Sequence, residues 1–248
     1  MDKQSIRERV WATLRREGAA RFPGAEGRIP NFVGAEAAAR RMAGLQEWIA
    51  ASILKCNPDA PQLPVRAAAL EAGKLVYMAV PRLRYAHPFV LLDPSKLTRS
   101  PRAAASIRGA ERAGRPVRVG DVRRIDLVVC GSVAVDRRGA RLGKGGGFSD
   151  LEFALLTEAG SIDRRTLVVT TVHPLQVLDE PLPETRHDFR VDLIVTPDQV
   201  IHVRRTRRSR PPGIIWEDLN ETKIAEVPAL AGLARRRRPG ARKRAGKA

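Results

Sequence analysis

Four glycines occupy the five positions from Gly143 to Gly147, and a helical apolar run from Leu151 to Ala159 follows shortly after them. Glycine has no Cβ atom, so this stretch can adopt positive φ and bring its N–H groups close to a bulky anion. A helix predicted to begin near Ser149 would point its positive end at the same place. The stretch therefore predicts an anion-binding loop that leads directly into a helix.

Charged side chains in and beside this loop suit a phosphate ligand. Arg141 and Lys144 supply positive charge, and Asp150 offers a hard oxygen ligand for a magnesium ion. Neither G-x-x-x-x-G-K-[ST] nor G-x-G-x-x-G fits the spacing of these glycines. The loop alone therefore leaves open a second interpretation, an ordinary glycine-rich turn.

The length of 248 residues, with 43% apolar and 29% charged residues, predicts a soluble globular chain. No uninterrupted apolar run approaches the roughly 18 residues of a membrane span, and we expect neither a span nor a secretory signal. Cys56 and Cys130 each lie in an apolar run, so we expect two buried free thiols in a reducing cytoplasm.

The net charge of +18 is concentrated near the end of the chain, where 14 Lys or Arg stand against 4 Asp or Glu from Arg204 onward. Residues 234–248 are predicted to form a basic disordered tail. Such a tail can bind nucleic acid through phosphates, or it can only solvate the chain. No aromatic residue interleaves it to stack on bases.

Apolar runs alternate with helical patterns along most of the chain, and this order predicts an α/β domain over residues 1–233, with a mainly parallel sheet flanked by helices. The segment 95–120 is predicted to be an irregular excursion, and a turn and a short helix are expected after residue 211. The predicted helices are 3–17, 34–51, 66–72 and the run after the glycines; the predicted strands are 52–56, 74–80, 89–92, 125–136, 166–172, 191–197 and 200–203.

The pattern Arg-Leu-Gly-x-Gly-x-Gly-aromatic-x-Asp from Arg141 to Asp150 resembles the nucleotide loop of the 5-formyltetrahydrofolate cyclo-ligase family, the methenyltetrahydrofolate synthetases. With Lys144 and the run from Ser149 to Glu152, it is most similar to the branch called methenyltetrahydrofolate synthetase domain-containing proteins. The resemblance implies the fold that these enzymes share with sugar-phosphate isomerases and coenzyme A transferases.

The resemblance also implies an activity, the ATP- and magnesium-dependent closure of 5-formyltetrahydrofolate to 5,10-methenyltetrahydrofolate. Family members open with a Lys-x-x-x-Arg helix that reaches the ATP phosphates, and Lys3 and Arg7 match it; a solvated helix face is the alternative. Asp150 would contact the magnesium ion. Catalytic roles are implied for Arg141, Lys144 and Asp150, and nucleotide contacts for Lys3, Arg7, Arg141, Gly143, Lys144, Gly145, Gly146, Gly147, Phe148 and Asp150.

The folate side of the resemblance is weaker, because the family's Glu-x-x-Thr element is absent after the first strand. Asp59 can replace the glutamate, and Arg66 can pair with a substrate carboxylate, or both can belong to an ordinary proline-rich turn and helix. His173 and Gln176 are further candidates for the cleft. The adjacent pair His187 and Asp188 can serve either as a proton relay or as a structural pair.

Two other functions stay open at this point. One is a nucleotide-binding regulatory homologue that has lost folate turnover, and the other is nucleic-acid binding through the basic tail. A folate substrate and a monomer or small homo-oligomer are the partners that we expect.

Overall fold

The structure is a computed structural model that describes residues 1–204 and 210–237. Apolar residues at helical spacing bury one face of the first helix, with Ile6, Val10 and Leu14 inside, and the Asp2 carboxylate accepts from the N–H groups of Gln4 and Ser5 to cap it. The described helices are α1 (Lys3–Arg16), α2 (Ala35–Ala43), α3 (Gln46–Ala50), α4 (Leu63–Glu71), α5 (Pro101–Ala104), α6 (Ile107–Ala113), α7 (Phe148–Glu158), α8 (Glu221–Glu226) and α9 (Pro228–Arg237).

The apolar runs that predicted strands are buried along most of their length, as expected for a sheet covered on both faces. The described strands are β1 (Ile53–Cys56), β2 (Leu75–Ala79), β3 (Phe89–Leu92), β4 (Arg115–Val117), β5 (Leu127–Cys130), β6 (Ala134–Asp136), β7 (Arg141–Leu142), β8 (Leu167–Thr171), β9 (Val177–Leu178), β10 (Leu193–Val195) and β11 (Val200–His202).

Eight strands form the main sheet in the order β11-β10-β8-β5-β1-β2-β3-β4. The five central strands, from β10 to β2, are parallel, and the strands at both edges are antiparallel. A second sheet has the order β7-β6-β9. Because parallel strands end at one edge of a sheet, the segments that follow β1 and β5 are neighbours there.

Helices cover both faces of the main sheet. One core packs α2 and α4 against it, with Met42, Leu70 and Trp48 buried. The opposite core packs α7 and α9 against it, with Phe153, Val227 and Leu230 buried. This arrangement confirms the predicted α/β class with a mainly parallel, helix-flanked sheet.

Two predicted elements differ from the structure. The helix expected over 34–51 is split at Gly44 and Leu45, where Leu45 has an extended backbone (φ −78°, ψ 145°). The strand expected over 125–136 ends at Cys130 because the chain turns at Gly131, where a Cβ atom would lie 2.8 Å from Ile29 Cγ2. The chain then continues as β6 in the second sheet.

The segment 95–120 is more regular than predicted, since it contains α5, α6 and the edge strand β4. Helix α9 extends to Arg237, four residues into the segment predicted as a tail. The rest of that tail, 238–248, lies outside the described residues, so the prediction of disorder stays a prediction. Cys56 and Cys130 are buried and free, as predicted. In the ranges that the structure describes, no helix has the length and apolar character needed to cross a membrane.

Candidate active site

The glycine loop, residues 143–147, connects β7 directly to α7. Gly145 and Gly147 have φ values of 109° and 67°, which residues with a Cβ atom rarely adopt. Gly147 is also the N-cap of α7, and no side chain caps the first turn of that helix. The positive end of α7 therefore has N–H groups oriented toward the loop, as an anion site requires.

Arg141 lies in β7, just before this loop, and its side chain is almost completely buried. Its Nη2 donates to Asp150 Oδ1 at 2.6 Å, and its guanidinium lies 3.9 Å from the centre of the Phe189 ring. Burial lowers the pKa of Arg141, but the charges of Asp150 and other nearby groups outweigh it, so the net shift is upward. The buried Nε has no hydrogen-bond partner within 1–204 and 210–237.

Helix α1 brings the predicted Lys-x-x-x-Arg pair to the same place. Arg7 Nε donates to the carbonyl oxygen of Gly143 at 2.7 Å, and Lys3 Nζ bonds Asp188 Oδ2 at 2.5 Å. Burial lowers the pKa of Arg7, which nevertheless stays a cation at neutral pH. The solvated-face interpretation of this pair is therefore wrong, because both side chains fold inward against the loop and its surroundings.

Lys144 approaches from within the loop itself. Its Nζ lies 3.5 Å from Asp59 Oδ1, and about half of its side chain is exposed. Asp59 follows the carboxyl end of β1, so this contact fixes the glycine loop beside the segment that was predicted to hold a substrate. Gln62 lies next to it, with its Nε2 donating to Thr171 Oγ1 at 3.2 Å.

A buried ion pair lies next to the start of α7, and it was not predicted from the sequence. Lys55 of β1 bonds Glu152 of α7 and Asn57 Oδ1, and Asn57 bonds Ser149 Oγ at 3.2 Å. Burial raises the pKa of Glu152, although Lys55 opposes that shift. The signal was present in the sequence, because Lys55 is the one charged residue in the apolar run Ile53–Cys56.

Two predicted substrate contacts are wrong. Arg66 is 1% exposed, and its guanidinium donates to the carbonyl oxygens of Ala105, Asn57 and Asp59. Gln176 is equally buried and bonds His173 N, Ser132 O and Val133 O. Both side chains are buried and hold backbone segments, so neither is exposed to an open cleft.

The remaining predicted site residues are His173, Phe148 and the pair His187 and Asp188. His173 Nδ1 accepts from Leu175 N at 3.2 Å, and burial lowers the pKa of His173, so its ring is neutral at neutral pH. Phe148 begins α7 and lies under Lys223. His187 Nε2 is 3.9 Å from Asp188 Oδ1, too far for a hydrogen bond, which favours the structural interpretation of that pair over a relay.

The Lys3–Asp188 contact predicts a pH-dependent stability. Burial raises the pKa of Asp188, but bonds from Lys3 and Thr185 outweigh it, so the pKa is lowered below its ordinary value of 3.8. A lowered carboxyl pKa stabilises the fold above about pH 4, and this contribution is lost as the pH falls through the folded-state pKa. Asp188→Asn should lower the free energy of unfolding by about 1–2 kcal/mol at pH 7.

Urea unfolding at pH 7 and pH 3 measures this effect. The difference between wild type and Asp188→Asn should shrink at pH 3, because this pH lies below the ordinary carboxyl pKa of 3.8 and the unfolded wild-type chain then binds a proton that the folded chain disfavours. A difference of the same size at both pH values would contradict this assignment.

Fold and site together define an α/β protein in which a cation-lined glycine loop precedes a helix at the carboxyl edge of a parallel sheet. The sequence profile of the 5-formyltetrahydrofolate cyclo-ligase family matches residues 1–197. The chain therefore belongs to the 5-formyltetrahydrofolate cyclo-ligase family, as the resemblance implied.

Relatives in animals agree with this membership. The chain is 40% identical over 240 residues to a methenyltetrahydrofolate synthase domain-containing protein of Mus musculus, covering 95% of this chain and 64% of that protein. It is 38% identical over 236 residues to the Danio rerio protein of the same name, covering 93% of this chain and 61% of that protein. The chain thus spans less than two thirds of the length of these relatives.

Among solved structures with a similar fold is the 5,10-methenyltetrahydrofolate synthetase of Aquifex aeolicus, which superposes with a TM-score of 0.52 at 19% identity. The match covers 84% of this chain and 95% of that protein. At this level of identity it supports the fold, and the chemistry has to be argued from the residues of this chain.

Proposed function

We propose that this protein is an ATP- and magnesium-dependent 5-formyltetrahydrofolate cyclo-ligase that forms 5,10-methenyltetrahydrofolate. One observation carries the proposal: in a chain of this family, Arg7, Arg141 and Lys144 lie in or against a glycine loop that continues into the N-terminus of α7, and Lys3 lies on the same helix as Arg7, paired with Asp188. This concentration of positive charge and N–H donors complements the negative charge of a nucleoside triphosphate.

The chemistry in this proposal is a phosphoryl transfer followed by ring closure. The formyl oxygen of the substrate attacks the γ-phosphorus of ATP, and ADP leaves. The neighbouring secondary amine then attacks the activated carbon and loses its proton, and inorganic phosphate leaves with the former formyl oxygen. Protein groups contribute by alignment and by stabilising charge on the transferred group.

The nucleotide contacts follow from the geometry of the loop. The amides of Gly143, Gly145, Gly146 and Gly147 and the cations Lys3, Arg7 and Lys144 would surround the phosphates. Arg7 now bonds the carbonyl oxygen of Gly143 and Lys144 faces Asp59, so both can turn to a more strongly charged acceptor. Arg141 is buried, and in this proposal it stabilises the loop and orients Asp150.

Asp150 can contact a magnesium ion, provided that other groups supply the remaining ligands. Asp150 bonds Arg141 through Oδ1, which leaves Oδ2 as the atom to contact a cation. In the described ranges no group of three His, Cys, Asp or Glu side chains could hold a metal by itself. The ion would therefore take its other ligands from phosphate oxygens and water, which is usual for magnesium in ATP-dependent enzymes. Bound there, it would neutralise charge on the phosphates.

The folate side of the proposal centres on Asp59. A Cβ atom on Gly131 would lie 3.1 Å from Asp59 Oδ2 and 3.0 Å from Gln62 Oε1, so two acceptor oxygens lie together beside Gly131, and the Gln62 oxygen has no hydrogen-bond partner among the described residues. A pterin ring presents an amino group and a ring N–H as donors, which suit such a pair. Arg66 holds the backbone carbonyls of residues 57 and 59, and thereby positions Asp59 for this contact.

Absorbance measurements of methenyltetrahydrofolate formation test the proposal. Wild type is expected to form product only when 5-formyltetrahydrofolate, ATP and magnesium are all present, and Asp150→Asn should reduce turnover by at least about tenfold with its magnesium requirement shifted upward. Folded protein that binds ATP but forms no product would support the regulatory alternative.

A further inference from the structure

We propose that the segment 210–237 forms one wall of the nucleotide site and that its Lys223 contacts the phosphates of the bound nucleotide. This inference rests on the proposed function. The segment lies beyond residue 197, where the match to the family profile ends. The matches to the mouse and zebrafish relatives, at 240 and 236 residues, are too long to stop there and must include most of it.

Lys223 contacts the glycine loop at Gly146, whereas Arg7 of α1 contacts it at Gly143. Its Nζ lies 3.4 Å from the carbonyl oxygen of Gly146 and 3.6 Å from the centre of the Phe148 ring. Phe148 is the first residue of α7, so the ammonium lies beside the positive end of that helix. Among the described residues, a weak carbonyl bond, the ring and Glu226 at 3.5 Å compensate this charge, which leaves it available to a stronger acceptor.

The position of Lys223 on its own helix is fixed. Asn220 Oδ1 accepts from Lys223 N at 2.8 Å and caps α8, which therefore begins at a defined residue. About a quarter of the Lys223 side chain is exposed, so its head group can reach a ligand from solvent. These two features combine a fixed backbone with a partly exposed cation.

The segment around Lys223 is anchored at both ends. Arg210 donates to Asp163 O, Thr166 O and Asp192 Oδ2 at the start of the segment. Val227 and Leu230 are completely buried in the core that also contains α7. Burial of two such side chains stabilises the docked segment, so it forms a permanent wall of the site.

A second contact connects the segment 210–237 to the surroundings of Lys3 on α1. Arg186 holds Asp218 of the segment with both Nε and Nη2, at 3.0 and 2.7 Å. Arg186 is two residues from Asp188, the partner of Lys3. The segment thus contacts the loop 183–190 on one side and the glycine loop on the other, and a nucleotide held by the glycine loop would lie beside it.

Lys223→Met is the variant that tests this inference, because methionine keeps an apolar stem over Phe148 and removes the charge. We expect the Kd for ATP to rise about tenfold and the Kd for adenosine to stay unchanged. Lys223→Arg should retain most of the affinity for ATP. Lys96→Met, at a largely exposed lysine on the surface, is the matched control and should bind ATP like wild type.

Calorimetric titration of all four full-length chains, with urea unfolding to confirm folding, separates the outcomes. Equal ATP affinity of wild type and a folded Lys223→Met would overturn this inference and leave the proposed function standing. A similar loss of affinity for adenosine would also overturn it, since the effect would then not involve phosphates. Failure of wild type to bind ATP would overturn both proposals.

Discussion

Lys55→Met is expected to lower the free energy of unfolding by about 3–5 kcal/mol, because it leaves the Glu152 carboxylate buried without its partner. Lys55 and Glu152 are 2% and 6% exposed, so water cannot replace the lost ion pair. Urea unfolding of wild type and variant at the same pH measures the difference. The loss should be among the largest that a single substitution in this chain produces.

A double variant separates the ion pair from the packing of the two side chains. Lys55→Met with Glu152→Leu replaces both charges with apolar groups, and it should recover most of the lost stability. Lys96→Met removes one partner of a surface pair and should change stability by less than about 0.5 kcal/mol. If the double variant were as unstable as Lys55→Met, the loss would come from packing and this account would be contradicted.

The same variant should show a defined pH dependence. Burial already raises the pKa of Glu152 above its ordinary value of 4.5, and removing Lys55 removes the main interaction that lowers it. A raised carboxyl pKa means that the folded state holds its proton to higher pH, so stability falls as the pH rises through that pKa. The deficit of Lys55→Met should therefore be larger at pH 8 than at pH 4.5.

Lys144→Met is expected to reduce kcat/KM for ATP by about 10²–10³-fold, because one cation on the transferred phosphoryl group is lost. The fold should be unaffected, since Lys144 is half exposed and its contact with Asp59 is 3.5 Å long. An exposed pair of this kind contributes at most about 1 kcal/mol to stability. Steady-state kinetics with ATP varied at saturating folate gives the ratio directly.

Lys144→Arg and Lys96→Met are the comparisons for this prediction. Arginine keeps the charge and should retain part of the activity, although its planar head group cannot take the same position. Lys96→Met tests whether the general positive charge of the chain matters, and it should be as active as wild type. Full activity in a folded Lys144→Met would show that Lys144 is only a surface lysine.

The parts of the structure that depend on local pattern could be predicted from the sequence. Apolar runs such as 74–80 and 125–130 are buried on both faces of a parallel sheet, and that environment produces a recognisable composition. The spacing of Lys3 and Arg7 places both on one face of α1, and the structure brings that face to the glycine loop.

Other features depend on contacts between segments that are distant in sequence, and no local pattern predicts them. The turn at Gly131 is fixed by Ile29 and Gln62, which are remote in sequence. Arg66 was predicted to face a substrate, but its guanidinium is used by carbonyl oxygens that only tertiary folding brings together. Lys55 was visible as a charge in an apolar strand, yet its partner Glu152 lies 97 residues away.

Calorimetric titration of the full-length chain with ATP and magnesium tests the central claim most directly, because it measures whether the cation-lined glycine loop binds a nucleoside triphosphate. We predict saturable uptake of a single nucleotide per chain, with heat that falls markedly for Lys144→Met and for Gly147→Val, whose side chain opposes the left-handed backbone at this position. Absence of binding heat from a chain that unfolds cooperatively in urea, or unchanged binding by both variants, would contradict the claim.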